Sequence, residues 1–247
     1  MEEKGVYIAT SGWQYGHWIG PFYPEDISKS KLFEFYSTRF DTVEVNNSFY
    51  RLPEKTTFAH WKEKSPEKFI FALKASRFIT HVKRLKDPIE PVRNFMDRAV
   101  VLEEKLGPIL FQLPPRWNLN TERLAIFLEA LPRDFRFAFE CRDPSWFNPE
   151  VYRLLKEHNC AFCIFDFDFL LSPREVTADF IYMRLHGPAG KYRGRYSDET
   201  LLDWAGFIRK WKGKVKAVYC YFDNDEAGYA AADALRLKGM LGLKGNF

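Results

Sequence analysis

Short apolar segments alternate with helix-like segments along the whole 247-residue chain. Each of eight apolar segments is rich in Phe, Val, Ile or Tyr and is bounded by turn residues, as β-strands are. The segments between them repeat apolar residues every three or four positions, which is typical of amphipathic helices. Eight strands alternating with helices predict a parallel sheet, and eight is the number that closes a (β/α) barrel. The predicted strands are residues 6–11, 41–46, 68–75, 108–113, 134–141, 160–166, 179–186 and 216–222.

No linker, low-complexity segment or internal repeat divides the chain. We therefore predict an α/β fold in which residues 1–247 form a single TIM-barrel-like domain. An open, doubly wound sheet is the alternative, although such sheets usually have fewer strands. Two helix starts carry capping residues: Asn120 or Thr121 before the fifth strand, and Ser197 before the eighth.

Charge and hydropathy exclude several classes of protein. The formal net charge of +4 is too small to indicate nucleic-acid binding by itself. No apolar stretch approaches the length of a membrane span. The first five residues lack the basic start and apolar run of a signal peptide, so we expect a cytoplasmic protein.

All four cysteines fall in predicted strands, and two of them form a C-x-x-C motif. Such a motif suggests a metal or redox site. In a strand, however, an odd separation places two side chains on opposite faces. We therefore expect Cys141, Cys160, Cys163 and Cys220 to be buried structural thiols.

Polar side chains recur near the carboxyl ends of most predicted strands, on the face opposite the apolar one. The apolar face should meet the helices, so the polar face should line the lumen, and barrel active sites form at that end. Burying ionisable groups without partners costs several kcal/mol each, so these groups must pair, bind water or bind a ligand. The central set is Glu44, Lys74, Glu140, Arg142, Asp166, Arg184 and His186.

Acid–base chemistry is the first interpretation of this set, with Glu44, Glu140, Lys74 and His186 as the catalytic candidates. We expect Glu140 to lie at the wet mouth of the barrel. A salt-bridged layer that only holds the barrel together is the alternative. A metal site formed by Glu44, Glu140, Asp166 and His186 is a further alternative. No metal ligands are assigned, because there is no short metal-binding signature and the basic residues would repel a cation. The sequence leaves the cofactor undetermined.

The loop of residues 186–196 combines three glycines, three basic residues and two tyrosines. Loops after the seventh and eighth strands of barrels often bind phosphate, and glycines let the backbone approach an anion. Together with polar strand ends and nearby aromatic residues, this loop suggests a ligand-binding set. Its members are Asn46, Tyr50, Gln112, Arg142, Asp166, Arg184, Tyr192, Arg195 and Asn224.

Motifs at successive strand ends resemble those of the YecE-like family, also called domain of unknown function 72. They are TSGW at 10–13, VEVNNSFYR at 43–51, LGPILFQLPP at 106–115, FECR at 139–142, MRLHG at 183–187 and YFDND at 221–225. The resemblance covers almost the whole chain and implies a TIM-barrel-like fold, with no established activity. Cys141 stands where such proteins more often carry Phe, and Asp223 where Asn is usual. The second departure adds a charge that alters the ligand or pairs with a neighbouring arginine.

We expect an enzyme that uses acid–base chemistry or hydrolysis on a small polar, anionic ligand at the carboxyl-terminal mouth. A non-catalytic protein that binds a small ligand or nucleic acid through the 186–196 loop and the mouth aromatics is the alternative. The sequence leaves open whether the protein is catalytic, and it does not indicate an oligomeric state.

Overall fold

The strands follow the predicted segments closely. The computed structural model describes residues 5–243. Its strands are β1 (Gly5–Thr10), β2 (Thr42–Val45), β3 (Ile70–Lys74), β4 (Leu106–Leu113), β5 (Phe137–Cys141), β6 (Ala161–Phe162), β7 (Ile164–Phe167), β8 (Leu170–Leu171), β9 (Phe180–Leu185) and β10 (Ala217–Phe222).

Helices connect the strands and surround them. They are α1 (Leu32–Arg39), α2 (Asn47–Tyr50), α3 (Lys55–Lys64), α4 (Ile89–Ala99), α5 (Thr121–Glu129), α6 (Pro149–Glu157), α7 (Asp198–Trp211) and α8 (Tyr229–Met240). Short helical turns cover Gly16–Trp18, Lys29–Lys31, Phe78–Val82, Val100–Lys105 and Pro144–Trp146. Two predicted caps are present: Asn120 Oδ1 accepts from the backbone N–H of Arg123 at 2.8 Å, and Ser197 Oγ from that of Thr200 at 3.1 Å. Within residues 5–243, no helix is long and apolar enough to cross a membrane.

Hydrogen bonds arrange the strands in two five-stranded sheets, in the orders β1-β10-β9-β7-β8 and β2-β3-β4-β5-β6. All pairings are parallel except that of the hairpin β7–β8. The sheets face each other as the two halves of a nearly closed barrel of eight parallel strands. The predicted fold class is therefore confirmed.

Two seams join the half-barrels. At the first, Cys163 divides the sixth predicted strand into β6 and β7, and its N–H donates to the carbonyl of Phe139 at 2.8 Å. At the second, β1 and β2 meet through a single bridge between Ser11 and Glu44, followed by a 2.8 Å bond from Gly12 N–H to Glu44 O. Few backbone bonds cross either seam, so other interactions must hold the halves together.

The predicted division between an apolar outer face and a polar inner face is observed. Phe111 of β4 packs edge-on against Phe127 of α5, with ring centroids 4.9 Å apart. Inside the lumen, the hydroxyl groups of Thr42 and Tyr221 lie 2.8 Å apart and share a hydrogen bond. All four cysteines are buried and unpaired, as expected.

We predict that Phe127→Ala destabilises the protein by about 3–5 kcal/mol, because Phe127 is fully buried and its loss leaves a cavity against Phe111. Ile126→Ala on the same helix is the matched control. Ile126 is 57% exposed, and its truncation should cost under about 0.5 kcal/mol. Urea unfolding of both variants measures the difference; equal losses would contradict the packing described for α5.

Candidate active site

Ionisable side chains converge inside the barrel at the carboxyl ends of the strands. Each is at most 9% exposed, so each needs a compensating partner. The converging residues are Glu44 of β2, Lys74 of β3, Glu140 of β5, Arg184 of β9, and His186 and Asp223 just after β9 and β10.

Arg184 lies at the centre of this cluster. Its Nε and Nη2 donate to Glu44 Oε1 at 3.1 and 2.8 Å. Nη1 donates to Glu140 Oε2 at 2.7 Å and to His186 Nε2 at 2.9 Å. Nη2 also donates to Asp223 Oδ2 at 3.1 Å. A guanidinium has five N–H donors, and all five are used here.

Glu44 is also fully engaged. Besides the two bonds from Arg184, its Oε1 accepts from Ser11 Oγ at 2.6 Å, and its Oε2 accepts from Tyr182 Oη at 2.6 Å. Both carboxylate oxygens are therefore turned towards protein donors. This arrangement suits a residue that holds Arg184 in place and leaves no oxygen facing a ligand.

Glu140 is fully buried, so the expectation that it lies at the wet mouth is wrong. The guanidinium groups of Arg142 and Arg184 each donate to one of its carboxylate oxygens. Burial alone would raise the pKa of Glu140, but the charges of Arg142 and Arg184 hold it well below its ordinary value. The carboxylate is therefore a constant negative charge across the neutral range.

His186 is held as a neutral ring. Its Nδ1 lies 2.7 Å from the carbonyl oxygen of Asp166, which only accepts, so Nδ1 carries the proton. Its Nε2 therefore accepts from Arg184 and from Arg142 Nη2, the latter at 3.1 Å. Burial and these two cations hold the pKa of His186 well below its ordinary value. In this geometry no ring nitrogen is free for the proton transfer expected from the sequence.

Above the cluster, a cavity of 560 Å³ opens at the mouth. Lys74 and Asp223 reach it from the barrel, and the loop after β9 contributes to its rim. The lining residues are Tyr15, Asn46, Tyr50, Lys74, Lys191, Tyr192, Arg193, Asp223, Asp225 and Glu226. A larger groove of 810 Å³ lies outside the barrel beside α4, but none of the converging ionisable residues lines it.

Lys74 and Asp223 are the members of the cluster that face this cavity. Burial, reinforced by the charge of Arg184, lowers the pKa of Lys74 from 10.5 to about 8. Burial also raises the pKa of Asp223 from 3.8 to about 7, against the opposing effect of Arg184. The pairing of Asp223 with an arginine, one of the two roles considered for this departure, is thus observed with Arg184.

Only some of the expected ligand-binding residues line the cavity. Asn46, Tyr50 and Tyr192 line the cavity, and Asn46 Oδ1 is buried without a hydrogen-bond partner among the described residues. Gln112 pairs in register with Glu140 and is buried.

Three expected residues turn away from the cavity. The carboxylate of Asp166 accepts from Tyr196 Oη at 2.6 Å, so only its backbone carbonyl contacts the cluster. Arg195 lies 3.7 Å from the buried Asp233. Asn224 Nδ2 donates to Asp233 and to the carbonyl of Gly194, both at 2.9 Å. These side chains hold the loop after β9 rather than facing a ligand.

Sequence reasoning missed Phe167 and noted Asp223 only as a departure from the family pattern, without including it among the site residues. Phe167, next to Asp166, turns inward, and the guanidinium carbon of Arg142 lies 3.5 Å from its ring centroid. Adjacent residues in a strand face opposite sides, so the inward position belongs to Phe167. Asp223 shares a strand face with Tyr219 and Tyr221, and that alternation was the signal that identifies it.

The cluster offers no vacant place for a metal ion. Across residues 5–243, no three His, Cys, Asp or Glu side chains are grouped as metal ligands. The centre between Glu44, Glu140 and Asp223 is filled by the guanidinium of Arg184, which supplies the positive charge that a cation would bring.

Comparison with known sequences identifies relatives along nearly the full chain. A family model described as "Protein of unknown function DUF72" matches residues 7–246. The UPF0759 protein YunF of Bacillus subtilis is 26% identical over 272 residues, covering 97% of this chain and 95% of that protein. The UPF0759 protein YecE of Escherichia coli K12 is 28% identical over 143 residues, covering 58% of this chain and 50% of that protein.

Solved structures show the same architecture. A DUF72 family protein from Thermotoga maritima, TM1631, has a TM-score of 0.87 at 31% identity, covering 96% of this chain and 99% of that chain. A DUF72 family protein from Enterococcus faecalis, EF0366, has a TM-score of 0.80 at 22% identity, covering 99% and 100%; this second likeness concerns the fold alone. The resemblance seen in the strand-end motifs is therefore confirmed.

Replacing Glu140 should cost stability. We predict that Glu140→Gln destabilises the protein by about 3–5 kcal/mol, because Arg142 and Arg184 each lose a buried charged partner. Glu150→Gln is the matched control, since Glu150 pairs with Arg153 on the exposed face of α6 and should change stability little. Urea unfolding at neutral pH compares the variants, and an unchanged Glu140→Gln midpoint would refute the structural role.

Asp223 should make stability depend on pH. Because burial raises its pKa from 3.8 to about 7, the folded state binds more protons than the unfolded chain between these values. Its contribution to stability therefore falls as pH rises across that window. Asn does not titrate, so Asp223→Asn should gain stability relative to the original protein over the same window. Unfolding free energies measured across it test this; a pH-independent difference would show that Asp223 is ionised throughout.

Proposed function

Because this chain belongs to the DUF72 family, whose description assigns no activity, we propose a function from the cavity itself. The protein is an enzyme that binds a small polar, anionic ligand at the carboxyl-terminal mouth of the barrel and catalyses proton transfer there. Lys74 and Asp223 are the reacting groups in this proposal. The volume of 560 Å³ lies within the range of small-molecule sites.

The observation that carries the proposal is that two cations at the cavity lack an ion-pair partner, whereas its carboxylates have partners. Among the described residues, no carboxylate lies within ion-pair distance of the side chains of Lys74 or Arg193. Asp225, by contrast, accepts from Trp18 and lies 3.1 Å from His17. The charged groups at the cavity that lack an ion-pair partner among the described residues are positive, which favours an anionic ligand.

The other two carboxylates and a cation at the rim also have partners. Glu226 accepts from the N–H of Gly194 at 3.1 Å, and Asp223 pairs with Arg184. Lys191 lies 3.3 Å from Asp168. The anion site is therefore smaller than the predicted basic loop and is centred on Lys74 and Arg193.

Proton transfer is assigned to Asp223 and Lys74 because both face the cavity and both titrate near neutral pH, at about 7 and about 8. A general acid or base works best when its pKa lies close to the working pH. Glu44, Glu140 and His186 then act as positioning residues. They fix Arg184, whose charge lowers the pKa of Lys74.

Non-catalytic binding of a small ligand or nucleic acid is the second candidate. It is favoured by Tyr50, which is 79% exposed at the rim, and by the partly exposed Tyr192. Flat rings beside basic groups suit stacking on bases or sugars. Removing the titrating group at Asp223 should abolish turnover if the protein is an enzyme, and should have no such effect if it only binds a ligand.

We predict that inorganic phosphate raises the Tm of the protein through Lys74. At about ten times the Kd, a ligand that binds only the folded state stabilises it by about 1.4 kcal/mol. Lys74→Gln should lose this shift. Lys214→Gln is the matched control, because Lys214 is exposed in the connection before β10, at the opposite end of the barrel. Thermal unfolding with and without millimolar phosphate measures both; identical shifts in the two variants would refute the anion site.

Catalysis is tested on phosphorylated or carboxylated compounds that raise the Tm. Asp223→Asn should retain their Tm shift and lose turnover by roughly a hundredfold or more, as expected when a general acid or base is removed. Undiminished turnover in Asp223→Asn would overturn the catalytic role. If single-stranded DNA competes with phosphate and its affinity falls steeply with salt, the nucleic-acid alternative is correct.

A further inference from the structure

Three lysines of the described chain are buried, and their ammonium groups differ in whether they have an oxygen partner. Lys105 Nζ donates to Lys62 O, Ser65 O and Ser65 Oγ at 2.7, 2.9 and 2.8 Å. Lys238 Nζ donates to Arg39 O at 3.2 Å. Lys74 Nζ, by contrast, lies 4.4 Å from the ring centroid of Phe49, with no oxygen partner among the described residues. Lys105 and Lys238 are structural by their contacts, and Lys74 is not.

The surroundings of Lys74 increase the fraction of its neutral amine. Its side chain is withdrawn from water beneath an open cavity, and desolvation together with Arg184 lowers its pKa to about 8. About one molecule in ten therefore carries the free amine at pH 7. Desolvation and a neighbouring cation are the two means by which proteins activate a lysine nucleophile. Glu140, Glu44 and Asp223 also act on Lys74, and their negative charges oppose this lowering. His81, after β3, is itself neutral because burial lowers its pKa to about 4.

We infer that Lys74 is a nucleophile that forms a Schiff base with the aldehyde or keto group of an anionic substrate bound in the cavity. The inference rests on the proposed function and deepens it, since it names the reacting class as carbonyl compounds. Arg193 is placed at the rim to bind the anionic group, and Asp223 borders the same cavity as Lys74.

The chemical step is balanced without an oxidant or reductant. The nitrogen lone pair of neutral Lys74 attacks the carbonyl carbon, and the carbonyl electron pair moves to oxygen. Asp223 starts protonated: it gives its proton to that oxygen and takes one from the nitrogen, which gives a carbinolamine and leaves Asp223 protonated. Protonated Asp223 then gives its proton to the departing hydroxyl, so that water leaves and the carbon–nitrogen double bond forms. The resulting cation draws electrons from the adjacent carbon, which prepares that carbon for deprotonation.

Reductive trapping tests the inference on the intact protein. Glyoxylate, a small anionic aldehyde, is incubated with the protein and sodium cyanoborohydride, and modified lysines are mapped by mass spectrometry. Lys74 should be modified roughly tenfold or more faster than Lys191 at pH 7, since a desolvated lysine is the activated nucleophile. Lys191 is the matched control because it lines the same cavity but is exposed. The rate at Lys74 should pass through a maximum between about pH 7 and pH 8, because the step needs a protonated Asp223 and a neutral Lys74, whose pKa values are about 7 and about 8.

The outcomes separate this inference from the proposed function. Modification at Lys74 that phosphate slows supports both, and Lys74→Arg should abolish it while Lys191→Arg leaves it intact. If phosphate raises the Tm through Lys74 but Lys74 stays unmodified while Lys191 reacts, the Schiff base is overturned and anion binding stands. If Lys74 is modified but phosphate neither protects it nor shifts the Tm, the nucleophile stands and the anion site fails. Protein unfolded in urea, in which every lysine reacts, confirms that the trapping chemistry works.

Discussion

The saturation of one buried guanidinium organises the inner face of the barrel. Arg184 directs all five of its N–H donors to protein acceptors, and these acceptors come from both half-barrels. An isolated charge at this depth would be prohibitively unstable, so the positions of Glu44, Glu140 and Asp223 are set by the need to surround it. The guanidinium is planar and its donors are fixed in direction, which makes this requirement geometric as well as electrostatic.

Because Arg184 uses all of its donors, the residues that hold it differ from those that can contact a ligand. The residues that bind Arg184 most closely, Glu44 and Glu140, have no oxygen left for a ligand. Lys74 and Asp223 belong to the same cluster and also line the cavity. Glu44 and Glu140 therefore support Arg184. Lys74 and Asp223, whose pKa values the charge of Arg184 alters, are the reacting groups of the proposed function.

Strand alternation carried the prediction of the fold and of most of the cluster, because the period of two decides which face of each strand meets the lumen. It placed Glu44, Lys74, Glu140 and Arg184 on the inner face. Asp166 was included in the cluster although alternation put it in phase with the apolar Ile164, and the inward position belongs to Phe167. Strand alternation could not predict hydrogen-bond partners. Glu44 and Tyr182 are 138 residues apart in sequence, and only the closed barrel brings them together. The burial of Glu140 likewise depends on the shape of the mouth, which no local pattern records.

The two seams of the barrel have a consequence for how the chain folds. The half-barrel of β2–β6 contains Glu44 and Glu140, and the half that contains β9 and β10 contributes Arg184. Separating the halves would leave Arg184 without Glu44 and Glu140, which lie in the other half, and only a few backbone hydrogen bonds cross the seams to guide closure. The ion network makes folding cooperative along the whole barrel, so that the site and the fold form together.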